Sequence, residues 1–169
     1  MKITGAVLLL TSCVVIGCLR LQTLKRRKDT LSAMSNSLQL IKSELDARLT
    51  TLPALMCFLA EQSRGETKSF FQSIDASMDE LGECEFSSIW MRAARQRLTS
   101  LSAEEQNEVI HLGQMLGQSD VNAQLSAIAR CQTFMDKSLD MLRGEYPQLC
   151  RLAFAVPAAA GLMIVIVLI

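Results

Sequence analysis

The sequence predicts an all-α fold: a cytoplasmic antiparallel bundle of about six helices between an N-terminal and a C-terminal transmembrane helix. Three observations predict it. Uncharged apolar stretches occupy residues 3–19 ("ITGAVLLLTSCVVIGCL") and 152–169 ("LAFAVPAAAGLMIVIVLI"). Every charged side chain except Lys2 falls between them, in 20–151. Within that middle region apolar residues recur at steps of three and four, the helical period, and no useful length alternates as a strand does.

At 1.5 Å per residue the end stretches make helices of roughly 26 and 27 Å, close to a hydrocarbon core of about 30 Å. Both are slightly short and can span with local thinning of the bilayer. Pro157 lies in the first third of the second span, where a kink is tolerated if neighbouring groups satisfy the freed carbonyl. Orientation follows from the cations. Arg20, Lys25, Arg26, Arg27 and Lys28 follow the first span, and Arg143 and Arg151 precede the second. Positive charge is retained on the cytoplasmic side, so 20–151 is expected in the cytoplasm and both termini outside. A rival reading takes "LTSC" (10–13) or "VIGC" (15–18) as a lipoprotein processing box, with Cys13 or Cys18 lipidated and the domain exported. The five cations after Cys18 oppose that translocation.

The elements of the middle region follow in order. Leu24, Leu31, Met34, Leu38, Ile41 and Leu45 form a narrow stripe, and no Gly or Pro interrupts from Gly17 to Leu52. The first apolar helix is therefore expected to run on as one rod ending near Arg48, its seam packed within its own bundle. "TTLPAL" (50–55) restarts a helix with Pro53 in the first turn, where a missing N–H costs nothing. That helix, through Leu55, Phe58 and Leu59, is expected to stop near Gly65. Phe70, Phe71, Ile74, Met78 and Leu81 mark the next, ending at Gly82. Both glycines suit a left-handed helix stop. Phe86, Ile89, Trp90 and Ala93 mark another. "SAEE" (102–105) is a capping box, Ser102 as N-cap and Glu105 three residues on, opening a helix with Val109, Leu112 and Leu116. After a corner at 117–120, Leu125, Ile128, Gln132, Met135, Leu139 and Leu142 mark the last. Gly144 and Pro147 are expected to interrupt or bend it.

Zero net charge, from 17 basic and 17 acidic residues, argues against a nucleic-acid partner. The six cysteines (13, 18, 57, 84, 131, 150) show no CxxC pair, and a single histidine, His111, is present to join them. They read as small apolar fillers, with no metal site. Glu104, Glu105 and Glu108 suit the positive end of a helix dipole. No GxSxG, HExxH or phosphate-loop pattern occurs, so no enzyme, cofactor or small-molecule substrate is expected. Membrane lipid is the one partner the residues themselves imply. The stretch "LGQMLGQSDVNAQL" (112–125) reads locally as a corner: Gly117 ends one helix, and Ser119 or Asp120 caps the next.

The order of several stretches resembles the stage III sporulation protein AB family of endospore-forming bacteria. "MLGQSDVNAQL" (115–125) carries its signature in Leu116, Gly117, Ser119, Asp120 and Gln124. "GAVLLL" with Gly17, "LQLIKSEL" (38–45), "LPAL" (52–55), "FF" (70–71), Trp90 and an apolar C-terminal span with Gly161 stand around it in order. Departures are Pro157 and "GEYPQLCR" (144–151), where that family's pattern expects an uninterrupted helix. The resemblance implies a domain similar to those of type II secretion inner-membrane platform proteins. It implies a non-enzymatic adaptor in the channel complex between mother cell and forespore, on the mother-cell side of the forespore envelope. Its implied partners are the secretion-type ATPase called stage III sporulation protein AA and other membrane proteins of that complex. Leu116, Gly117, Ser119, Asp120 and Gln124 then become candidate partner-binding or helix-corner residues.

Overall fold

A computed structural model describes the backbone of residues 2–47, 51–82, 84–116 and 120–168. It describes the side chains of residues 15, 17–45, 51–82, 84–116, 120–144 and 159. The described chain is all-α. Six helices follow one another: α1 (Lys2–Ala47), α2 (Leu52–Gln62), α3 (Gly65–Asp75), α4 (Phe86–Arg97), α5 (Ala103–Leu116) and α6 (Val121–Leu168). A 3-10 turn at Met78–Glu80 leads out of α3. No strand occurs among the described residues, only a lone bridge between Leu81 and Cys84.

Two compact units emerge. Arg27–Leu139 forms one, and Met1–Arg26 with Asp140–Ile169 forms the other. In the first, α3 packs on both α2 and α4, and α4 packs on α5. The stripe of α1 is buried as expected, with Leu31, Met34, Leu38 and Ile41 all excluded from solvent within this one chain. Ile128, Met135, Leu139 and Leu142 of α6 are buried too, joined by Cys131. Leu24, Leu45, Leu125 and Gln132, at the margins of the two stripes, are half-buried.

The core centres on Trp90, which is fully buried. Phe70 meets its ring edge-on at 4.9 Å between centroids, Phe71 lies at 6.2 Å and Phe86 at 5.6 Å. Such tilted and T-shaped pairs set the positive rim of one ring against the negative face of the next. The indole Nε1–H donates to the Val109 carbonyl at 2.7 Å. That approach to an α5 carbonyl depends on Gly113, one turn on. A Cβ there would lie 2.8 Å from Nε1 and closer still to Cγ and Cδ1 of Trp90. A glycine inside a continuing helix signals such close backbone contact.

Several boundaries differ from expectation. α2 ends at Gln62, with the Ser63 N–H donating to the Leu59 carbonyl at 2.9 Å. Gly65 does adopt a left-handed φ of 59°, but as the first residue of α3. α3 stops at Asp75, short of Gly82. Ser77 donates to Ile74 and Glu80 to Ser77, tightening the chain into the 3-10 turn. Asp75, Ser77 and Asp79 are weak helix formers, which favours the early stop. Met78 is accordingly half-buried and Leu81 is exposed. α6 stays helical through Gly144, Pro147 and Pro157, so of the expected interruption or bend the interruption is absent.

Among the described residues no helix is long and apolar enough to cross a membrane. The two predicted spans, 3–19 and 152–169, fall mostly outside the described side chains. Cys13 and Cys150 lie outside them as well. Of the other cysteines Cys131 alone is buried, Cys84 is half-buried, and Cys18 and Cys57 are exposed, so the filler reading holds for Cys131. Burial pushes the Cys131 thiol up to about 12, helped by the nearby Glu108 carboxylate and opposed by Arg130. That thiol stays protonated and packs as an apolar group.

Candidate functional site at the two ends of α5

α5 is organised at both ends by polar contacts. At its start the predicted capping box is complete. The Ser102 N–H donates to Glu105 Oε2 at 2.8 Å, and the Glu105 N–H donates to Ser102 Oγ at 3.3 Å. Glu105 also receives a two-pronged bond from α1: Arg27 Nη2 to Oε1 at 2.6 Å and Nε to Oε2 at 3.0 Å. The Glu105 side chain is 1% exposed and the Arg27 side chain 33%. Burial pushes the Glu105 carboxyl upward. The Arg27 bond, the Ser102 N–H, the Arg27 charge and the Ser102 hydroxyl together outweigh it and hold the carboxyl below the usual carboxylate range.

Beside this pair runs a second polar cluster. Glu66, in the first turn of α3, accepts from the Ser100 N–H at 3.0 Å and the Ser100 hydroxyl at 2.9 Å. The Ser100 hydroxyl also lies 3.0 Å from Thr30 Oγ1 of α1. Gln106 donates to the carbonyls of Ala94 and Leu98, closing the open end of α4. Arg27 and Thr30 of α1 are thus tied to α3, the α4–α5 loop and α5 within one turn of helix.

The other end of α5 is the predicted corner. Leu116, its last residue, is buried. Asp120 is exposed and its Oδ1 accepts from the Asn122 N–H at 3.0 Å, while its carbonyl accepts from the Gln124 N–H at 3.1 Å. Asp120, one of the two residues expected to cap this helix, makes the capping bond. Gln124 is buried, and its Nε2 reaches back across the corner to the Leu116 carbonyl at 3.2 Å. Gly117 and Ser119 lie outside the described residues. Of the five candidates, therefore, Leu116 and Gln124 face inward and Asp120 faces solvent. Asp120→Ala is expected to cost about 1 kcal/mol through the lost cap. Gln124→Ala is expected to cost about 2 kcal/mol by orphaning the Leu116 carbonyl. Chemical melts of the two variants check the order, and an Asp120 loss exceeding the Gln124 loss would contradict it.

Half-buried His111 leaves Nδ1 without a hydrogen-bond partner among the described residues. Glu108 Oε2, one turn earlier, makes no hydrogen bond and has Arg130 Nη2 3.8 Å away. No group of three metal-ligating side chains stands close enough to hold an ion among the described residues. Sequence reasoning missed three features: the inward turn of Arg27, the Glu66–Ser100–Thr30 cluster, and Gly113 as the seat of Trp90. A glycine without helix termination in "HLGQML" was the available signal for the last.

The sequence pattern of the family described as stage III sporulation protein AB matches residues 2–169. A solved structure described as stage III sporulation protein AB matches with a TM-score of 0.66 at 18% identity. The match covers 73% of this chain and 98% of that one. At that identity the likeness is one of fold. No individually curated protein matches the chain.

Proposed function

Since the chain belongs to the stage III sporulation protein AB family, we propose that it acts in sporulation as a non-enzymatic membrane platform. In this reading residues 3–19 and 152–169 span the membrane, and 20–151 forms a cytoplasmic bundle on the mother-cell side of the forespore envelope. The bundle docks a secretion-type ATPase of the stage III sporulation protein AA kind, and other membrane proteins of the channel complex are its neighbours. The observation that carries the reading is the family match over nearly the whole chain, apolar ends included. The Arg27–Glu105 pair supports it, because it fastens the helix that continues from the first apolar stretch to the start of α5. An adaptor of this kind works by holding partners and passing conformational strain between them, with no bond made or broken. The 117–120 corner is the proposed contact, with Asp120 and Asn122 as exposed polar groups and Leu116 and Gln124 as its internal brace.

A topology reporter fused after Ser100 tests the placement. Activity of a cytoplasm-restricted reporter at that position is the expected result. Activity of an export-restricted reporter there removes the platform reading and returns the domain to the lipoprotein reading of Cys13 or Cys18.

A further inference from the structure

We propose that Arg20, Lys25 and Arg26 form a collar that binds the phosphate groups of anionic phospholipids, an inference that rests on the membrane reading above. Three observations carry it. All three cations are exposed, and the first acidic residue of the chain is Asp29. At 3.6 residues per turn they stand about 140°, 100° and 120° apart around α1, with the half-buried Leu21 and Leu24 in the widest gap, so they spread round the rest of the helix instead of lining one side. They span about 9 Å of rise, near the depth of one headgroup layer, about 5–8 Å. The neighbouring Arg27 and Lys28 are engaged within the protein, Arg27 with Glu105.

The second observation lies one turn before the collar. Val15 and Leu19 are 55% and 56% exposed, and Cys18 between them is exposed too. These positions share one helix face. Exposed apolar side chains running directly into exposed cations match the passage from acyl chains to headgroups. Thr23, at the level of the collar, donates its hydroxyl to the Leu19 carbonyl at 3.0 Å, meeting its own need without water.

Third, the geometry selects the ligand. A nucleic acid or an acidic protein groove approaches a helix from one side and needs its cations on that side. Cations spread over about 220° of the helix, away from the half-buried Leu21 and Leu24, are matched by a ligand that reaches round the exposed side, which a leaflet of lipid headgroups does.

The test uses the full chain purified in non-ionic detergent with equal amounts of phosphatidylglycerol and phosphatidylcholine, and reads retained lipid by native mass spectrometry. Each cation near an anionic surface adds a factor of about five, so wild type is expected to favour phosphatidylglycerol by at least about tenfold. The triple variant R20Q/K25Q/R26Q is expected to fall to near parity. R95Q/R97Q, which removes two exposed cations from α4, is expected to keep the preference. If the triple variant fails to fold, Arg26→Gln alone must lower the preference about fivefold. Equal retention by wild type, or an undiminished preference in the variants, overturns the collar. So does loss of the preference in excess inorganic phosphate at matched ionic strength, which makes the ligand a free ion. Alkaline extraction of membranes separates this from the underlying reading. A chain that resists extraction but shows no lipid preference keeps its spans and loses the collar; a chain released by alkali loses both.

Discussion

Gly113→Ala is expected to lower the melting temperature by about 10 °C, one of the two largest losses that a single substitution causes here. The added Cβ falls on the Trp90 ring, 2.8 Å from Nε1 and nearer to Cγ and Cδ1. Those are atoms of a fully buried indole wedged among Phe70, Phe71 and Phe86, so the ring has no flexible end to move aside. Overpacking of this kind costs about 3 kcal/mol at the upper end of its range. Displacing the indole also weakens its bond to the Val109 carbonyl, about 1 kcal/mol more. Alanine returns about 1 kcal/mol in helix propensity, and that term loses. The balance is about 3 kcal/mol, at about 3 °C per kcal/mol for a chain of this length. Thermal circular dichroism reads the result. Trp90→Phe in the same chain, with a smaller ring, is expected to recover part of the loss. A melting temperature at or above wild type for Gly113→Ala would show that Trp90 does not sit on that helix.

The second expectation concerns Arg27. Arg27→Ala leaves the Glu105 carboxylate buried with only the Ser102 contacts. Removing one partner of a fully buried pair costs about 3–5 kcal/mol. Because Arg27 is one-third exposed, water replaces part of its charge, and about 2–3 kcal/mol is expected. Glu105→Gln keeps the shape and loses the charge, so its cost is smaller, about 1–2 kcal/mol. The pH dependence has a definite sign. The folded carboxyl titrates below its unfolded value of about 4.3, so its contribution is complete above that value and is lost as pH falls through the folded value. The difference in stability between wild type and Glu105→Gln is therefore largest near neutrality and shrinks below about pH 4. Urea melts at neutral and acid pH check this. A difference that grows on acidification would mean that Glu105 is not held ionised by Arg27.

Much of this architecture is legible in the sequence. The stripe from Leu31 to Ile41 and the run from Phe86 to Ala93 gave helices because three-and-four spacing puts one face into a core, and those faces are buried. The Ser102–Glu105 box was readable because capping is local: two residues three apart bond each other's backbone. What was hidden is what depends on other helices. Arg27 looked like one of five interchangeable cations, and only Glu105, 78 positions away, makes it different. Gly65 has the left-handed backbone that its composition suggests, yet whether such a residue closes one helix or opens the next depends on how α2 and α3 meet. α3 ended early because the weak helix formers Asp75, Ser77 and Asp79 outweighed the apolar periodicity that continued to Leu81. The corner was half-readable. The Asp120 cap follows from local chemistry, whereas the reach of Gln124 to the Leu116 carbonyl, which turns a signature residue inward, does not.

Capture of the ATPase by the full chain, solubilised from membranes, tests the platform reading most directly. Wild type is expected to retain a secretion-type ATPase of the stage III sporulation protein AA kind. Asp120→Ala, whose side chain is exposed, is expected to weaken that capture while melting within about 1 kcal/mol of wild type. A wild-type chain that is folded and membrane-bound yet captures no ATPase contradicts the account.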